Sequence, residues 1–196
     1  LESLSGATFE GWFSYSVPNN NVHLFAFDDG TGTGTQNGGG WNGNYLRYNV
    51  YDSGHAGGVS WVEVPNLGNP NGGVLNGTSV LAQNQLLHTV VVYDPANGVE
   101  SLYINGALES KVTGTLAPFS SIFQSRGTLG ASPWSAFGDP YLNGMIDQFS
   151  IYDGVLSDTQ VAASFAAGPV GVPEPSTAAL GILGAFALGL YRRSRA

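Results

Sequence analysis

Two short runs, His88-Thr-Val-Val-Val-Tyr-Asp94 and Val99-Glu-Ser-Leu-Tyr-Ile-Asn-Gly106, meet across Pro95-Ala-Asn-Gly98. Both are rich in β-branched and aromatic residues, and Asn97-Gly98 supplies the positive φ that a tight reversal needs. This stretch is therefore a β-hairpin. In its second arm Leu102 and Ile104 share one face and Tyr103 takes the other. Similar runs recur on both sides: Thr8 to Ser16, Val22 to Phe27, Tyr45 to Tyr51, Val59 to Val64, Ser79 to Leu81 and Met145 to Tyr152. With 29 glycines and many Asn, Ser and Thr between them, the pattern is that of an all-β sandwich or barrel.

Parity within Met145 to Tyr152 makes a further demand. Asp147, Phe149 and Ile151 alternate onto one side, so a core contact for the last two turns Asp147 inward as well. A carboxylate there needs donors or a metal. The next segment is the one convincing soluble helix. Ser157 is its N-cap, Gln160 completes a capping box, Leu156 staples onto Val161, and Gly168-Pro169 ends it. It is expected to close the sandwich, with Val161 and Phe165 one turn apart.

The first 171 residues carry thirteen Asp/Glu against three Lys/Arg (Arg47, Lys111, Arg126), a formal charge of −10 within a chain total of −8. Such a body repels phosphate backbones and argues against a nucleic-acid partner. It is long enough for one domain, here residues 1–167. The chain has no cysteine, which excludes disulfides and thiol catalysis. Leu1-Glu-Ser-Leu-Ser5 shows neither an initiator methionine nor a charged and apolar leader, so a leader and an opening strand are expected upstream.

Residues 168–175 read as a linker, and residues 176–196 as a membrane segment. Ala178 to Tyr191 is uncharged and stops at Arg192, Arg193 and Arg195. As a helix, 176–191 spans about 24 Å, enough to cross a bilayer if the arginines snorkel. Those arginines hold the cytoplasmic side, which leaves the β-rich body across the membrane. Placed after Pro173-Glu174-Pro175, this tail resembles the PEP-CTERM sorting signal of exported Gram-negative proteins. The resemblance implies an inner-membrane-anchored precursor, processing near the Pro-Glu-Pro by an exosortase, and delivery to the cell surface or extracellular matrix.

The body also resembles a family. The hairpin from His88 to Gly106, Leu129-Gly-Ala131, Leu142 to Ser157 and Thr8-Phe-Glu-Gly-Trp-Phe13 are similar to the motifs of LamG-like, concanavalin A-like jelly rolls. Leu87 departs from them, since the family commonly has Trp before the His. The resemblance implies two packed antiparallel sheets, one concave, and functions that range over glycan binding, adhesion and protein contacts.

Related jelly-roll glucanases carry an E-x-D-x-x-E strand that aims paired carboxylates into one cleft. Here Glu10, Glu63, Glu100 and Glu109 are isolated in sequence, and His-Glu-x-x-His and Gly-x-Ser-x-Gly are absent. His23, His55 and His88 lack metal spacing. Gly38-Gly-Gly-Trp-Asn-Gly43 precedes no helix pattern and reads as a loop. One structural calcium is a candidate cofactor, with Asp28, Asp29 and Asp147 as its ligands; the other reading has the first two capping a turn and the third bonding amides. Glycan contacts fall to Trp41, Asn42, Asn44, Tyr45, Trp61 and Trp134, exposed rings beside amides that suit a sugar's apolar face and hydroxyls. The expected function is a non-catalytic glycan-binding or adhesive module in extracellular polysaccharide. A structural matrix protein making protein contacts and a divergent glycosidase stay open as alternatives.

Overall fold

The computed structural model describes residues 1–28, 46–51, 53, 58–66, 69–122, 126–135 and 138–169. Its strands are β1 (Ala7–Tyr15), β2 (Val22–Asp28), β3 (Leu46–Tyr51), β4 (Trp61–Asn66), β5 (Asn69–Asn76), β6 (Leu87–Asp94), β7 (Val99–Ile104), β8 (Ala107–Thr113), β9 (Arg126–Leu129) and β10 (Gly144–Asp153), followed by helix α1 (Asp158–Ala167). They form two antiparallel sheets, the first ordered β10-β1-β6-β7-β8 and the second β5-β4-β3-β2-β9. An all-β two-sheet sandwich with one short helix results, consistent with a jelly roll.

The alternation of β1 shows how the sequence builds this. Ala7, Phe9, Phe13 and Tyr15 enter the core between the sheets, where Phe9 stacks on Phe25 with centroids 5.2 Å apart. Removing such a ring from water stabilises the fold by about 1.5 to 3 kcal/mol. Thr8, Glu10 and Trp12 occupy the opposite face. The expected hairpin forms as β6 and β7: Asp94 accepts from the Asn97 backbone and side chain at 3.1 and 2.7 Å, and Gly98 takes φ +64°. Leu102 and Ile104 pack in the core and Tyr103 on the far side, as expected.

Helix α1 covers that far side. Ser157 and Gln160 form the expected capping box. Val161 is fully buried with Val90, Val92 and Tyr103, and Leu156 packs beside them. Phe165 stacks on Trp12 at 5.9 Å, lying where a Cβ on Gly106 would stand 2.7 Å from its own Cβ. Gly106 has φ +77° and no side chain, so the β7–β8 turn both forms and admits the ring.

Two expectations fail. Ser79 to Leu81 is not a strand: Leu81 is buried in a loop, and its carbonyl accepts the Tyr15 hydroxyl at 2.5 Å. Asp147 does not face the core. Trp12 pairs with Gln148 and Phe13 with Ile146, so Asp147 is the extra residue of a β-bulge and is exposed. The bulge shifts parity by one, which lets Phe149 and Ile146 both reach the core.

Candidate functional site

With the outer face of the first sheet under α1, the outer face of the second carries a polar cluster that no helix covers among the described residues. On β3, Leu46, Tyr48 and Val50 point into the core, so Arg47 and Asn49 point out. On β2 an irregularity after His23 sends both Leu24 and Phe25 inward, and Asp28 emerges on the outer side. Arg126 on β9 stands directly opposite Asp28 in the ladder.

Arg126 Nε donates to Asp28 Oδ1 at 2.9 Å and its Nη2 donates to the Pro133 carbonyl at 3.0 Å. The next residue, Trp134, lies under the Arg47 guanidinium, whose Cζ is 4.3 Å from the ring centroid. A cation over an indole face is attracted by the ring quadrupole. The loop carrying Trp134 is pinned. Its backbone N–H donates to Ser132 Oγ, and that hydroxyl donates to Asp139 Oδ2 at 2.5 Å. Asn21 Nδ2 donates to the other oxygen of Asp139 at 3.3 Å.

His23 is fully buried near this face, with Nδ1 donating to the Asn21 carbonyl at 2.8 Å. Burial first, and the Arg47 charge second, push its pKa down to about 3 against the pull of that carbonyl. It is a neutral ring here at any physiological pH. Solvent reaches the site at its rim: Arg47 and Trp134 are buried, whereas the Arg126 side chain is 39 % exposed.

Of the residues expected to touch sugar, Trp41, Asn42, Asn44 and Tyr45 lie outside the described residues. Trp61 on β4 stands opposite Asn49 in register, which brings it to the same sheet. Trp134 is not the exposed ring expected, being 4 % exposed beneath Arg47. Of the calcium set, Asp29 lies outside the described residues. Asp28 bonds Arg126 in the second sheet, and Asp147 belongs to the first. Among the described residues no three His, Cys, Asp or Glu group together as metal ligands. The sequence presents Arg47 and Arg126 only as two of the three cations of the body; the face that Arg126 shares with Asp28 depends on the β2 irregularity, which no local pattern announces.

A second polar cluster sits on the first sheet. Glu10 is 1 % exposed and accepts from His88 Nε2 at 2.7 Å, from the Tyr152 hydroxyl at 2.5 Å and from Ser164 Oγ of α1. Burial raises its pKa, but the bonds from His88, Ser164 and Tyr152 and the field of His88 outweigh it, holding it at about 2. Its isolation in sequence is thus deceptive. A Glu–His pair is familiar catalytic equipment, yet here α1 lies over it, with Phe165 5.7 Å from the His88 ring. The cluster fastens the helix.

Residues 1–162 match the model of the Laminin_G_3 family, of the concanavalin A-like lectin/glucanases superfamily. The chain belongs to this family. A search of curated proteins found no match. Among solved structures, this Laminin_G_3 domain is similar to the CBM40 of the Ruminococcus gnavus IT-sialidase bound to α2,3-sialyllactose, with TM-score 0.67, 17 % identity and 83 % of each chain covered. It is similar to the NanB sialidase of Streptococcus pneumoniae, with TM-score 0.64, 23 % identity, 83 % of this chain and 24 % of that one. It is also similar to domain 4 of AbnA, an extracellular arabinanase of Geobacillus stearothermophilus, in complex with arabinotriose, with TM-score 0.58, 19 % identity, 83 % of this chain and 68 % of that one. The chain thus spans about a quarter of the length of the sialidase. At these identities the likeness establishes the fold.

Proposed function

We propose that this Laminin_G_3 domain is a non-catalytic glycan-binding module and that the outer face of its second sheet is the sugar face. The observation that carries this reading is the Arg126–Asp28 and Arg47–Trp134 arrangement, polar side chains held in fixed positions on the sheet face that α1 leaves alone. The exposed edge of Arg126 offers fixed donors that suit a sugar's hydroxyls, while Trp134 lies beneath Arg47 and supports it from below. Two structural neighbours of the same fold hold sugars, one a sialyllactose and one an arabinotriose. The buried Glu10–His88 pair supports a non-catalytic reading, because α1 stands between it and any substrate.

The same reading includes export. Pro173-Glu174-Pro175, the apolar span and Arg192, Arg193 and Arg195 lie outside the described residues, and their order in sequence supports sorting by an exosortase to the cell surface or matrix. Among the described residues no helix is long and apolar enough to cross a membrane.

A polysaccharide array with the full chain tests the binding. Retention on at least one glycan, without reducing-sugar release, is expected. No retention with or without calcium sinks this reading in favour of a matrix structural protein, and sugar release favours a glycosidase. For export, a reporter fused ahead of Pro173 is expected to be active outside the cytosol; activity only inside it overturns the location.

A further inference from the structure

We propose that Arg126 is the receptor for a carboxylate, so that the glycan this face takes is an acidic one carrying uronate or sialate residues. This rests on the glycan-binding reading above and narrows it.

The guanidinium of Arg126 is fixed from two sides. Its Nε–H is held by Asp28, itself 1 % exposed, and one Nη2–H by the Pro133 carbonyl. Among the described residues these bonds use two of its five donors, and the side chain is 39 % exposed, so part of the guanidinium faces solvent or a ligand. A guanidinium whose plane is already set loses little freedom on meeting a carboxylate, whose two oxygens match its fork. Asp28 is buried and orients the group through its Nε–H.

Charge placement points the same way. The first 171 residues hold only three cations among thirteen acids. Two of the three, Arg47 and Arg126, stand on the outer face of the second sheet, on the strands that flank β2. Lys111, on β8, belongs to the other sheet. An acidic body repels anions at long range, so an acidic sugar is captured only where fixed cations outweigh that field locally.

Calorimetric titration of the full chain tests this with two matched pairs: trigalacturonate against its methyl ester, and 3′-sialyllactose against lactose. At least one acid is expected to bind about tenfold or more tightly than its neutral partner, with a difference that shrinks as salt rises. Which pair shows the preference identifies the acid as uronate or sialate. Arg126→Gln is expected to erase the preference, so that the acid and its neutral partner bind with equal affinity, and Arg126→Lys to restore only part of it. Equal affinities within both pairs, or a preference that survives Arg126→Gln, overturn the inference and leave the glycan reading standing. Absence of binding to any acid or neutral glycan overturns both. The ester and lactose comparisons use the unaltered protein, so they decide the matter even where Arg126→Gln lowers the melting temperature.

Discussion

His88 Nε2 lies 2.7 Å from Glu10 Oε1, and the two come from positions 78 residues apart on neighbouring strands of the first sheet. The contact ties β1 to β6. Because Ser164 bonds the same carboxylate oxygen, it also ties α1 to both strands. Among the described residues His88 Nδ1 is buried without a partner, so Glu10 is the anchor that the ring's nitrogens find there.

Glu10→Gln therefore removes a charged acceptor from three donors at once. A loss of about 2 to 4 kcal/mol in urea unfolding is expected. The pH dependence has a definite sign. Glu10 is held at about 2, below its ordinary 4.5. Its contribution is complete above the unfolded value and is lost as pH falls from there through about 2, roughly 3 kcal/mol in all. Stability measured between pH 6 and pH 2 should fall less in the Gln variant than in the parent. Parallel curves would show that Glu10 is not the group responsible.

Glu100 predicts the opposite slope. It shares the core-facing side of β7 with Leu102, is fully buried, and among the described residues neither oxygen has a partner. Burial raises its pKa well above the ordinary carboxylate value. The group facing it is Tyr93, its register partner on β6, itself raised by burial and by the Glu100 field. Folding thus favours the protonated acid: the stability is fully present below the unfolded value and is lost as pH rises through the folded one. In thermal melts from pH 5 to pH 9, Glu100→Gln should match the parent at the acid end and exceed it at the alkaline end. An unchanged alkaline decline in the variant would falsify this assignment.

Gly106 makes a steric prediction. Alanine there must adopt φ +77° and place its Cβ 2.7 Å from the Phe165 Cβ. Strain and displacement of the ring together should cost about 1 to 3 kcal/mol. If the ring's displacement contributes, Gly106→Ala should cost less in a Phe165→Ala background, a coupling that a double-mutant cycle reads directly. Additive losses would mean that backbone strain alone is responsible.

The legibility of the chain follows from where each strand lies. β1, β6 and β7 are interior strands whose two faces are both covered, so their alternation is strong and their hairpin could be read directly. The unread strands β5, β8 and β9 are all sheet edges. Edge strands satisfy one ladder and bury less, so β5 tolerates Asn69-Pro-Asn-Gly-Gly73, which reads as a turn. The helix was legible because capping is local: Ser157 and Gln160 are three residues apart. The site was not. Arg126 meets Asp28 across 98 positions, and both Asp28 and Asp147 owe their direction to ladder irregularities, which strict alternation cannot anticipate.

Asp139 offers a test of how the Trp134 loop is held. Its carboxylate accepts from Ser132 Oγ and Asn21 Nδ2, its backbone N–H donates to the Trp134 carbonyl at 3.4 Å, and Ser132 Oγ in turn accepts from the Trp134 N–H. Asp139→Ala deletes the two carboxylate bonds and leaves the Ser132 hydroxyl without its acceptor, which should cost about 1 to 3 kcal/mol. The more telling readout is fluorescence. Trp134 is 4 % exposed in the parent, and a loosened loop lets water reach the indole, shifting its emission to the red. Repeating the substitution in a Trp134→Phe background should abolish the shift, which assigns it to Trp134. Emission unchanged in Asp139→Ala would mean that other contacts, that with Arg47 among them, keep the ring in place, and the pinning role assigned to Asp139 would have to be withdrawn.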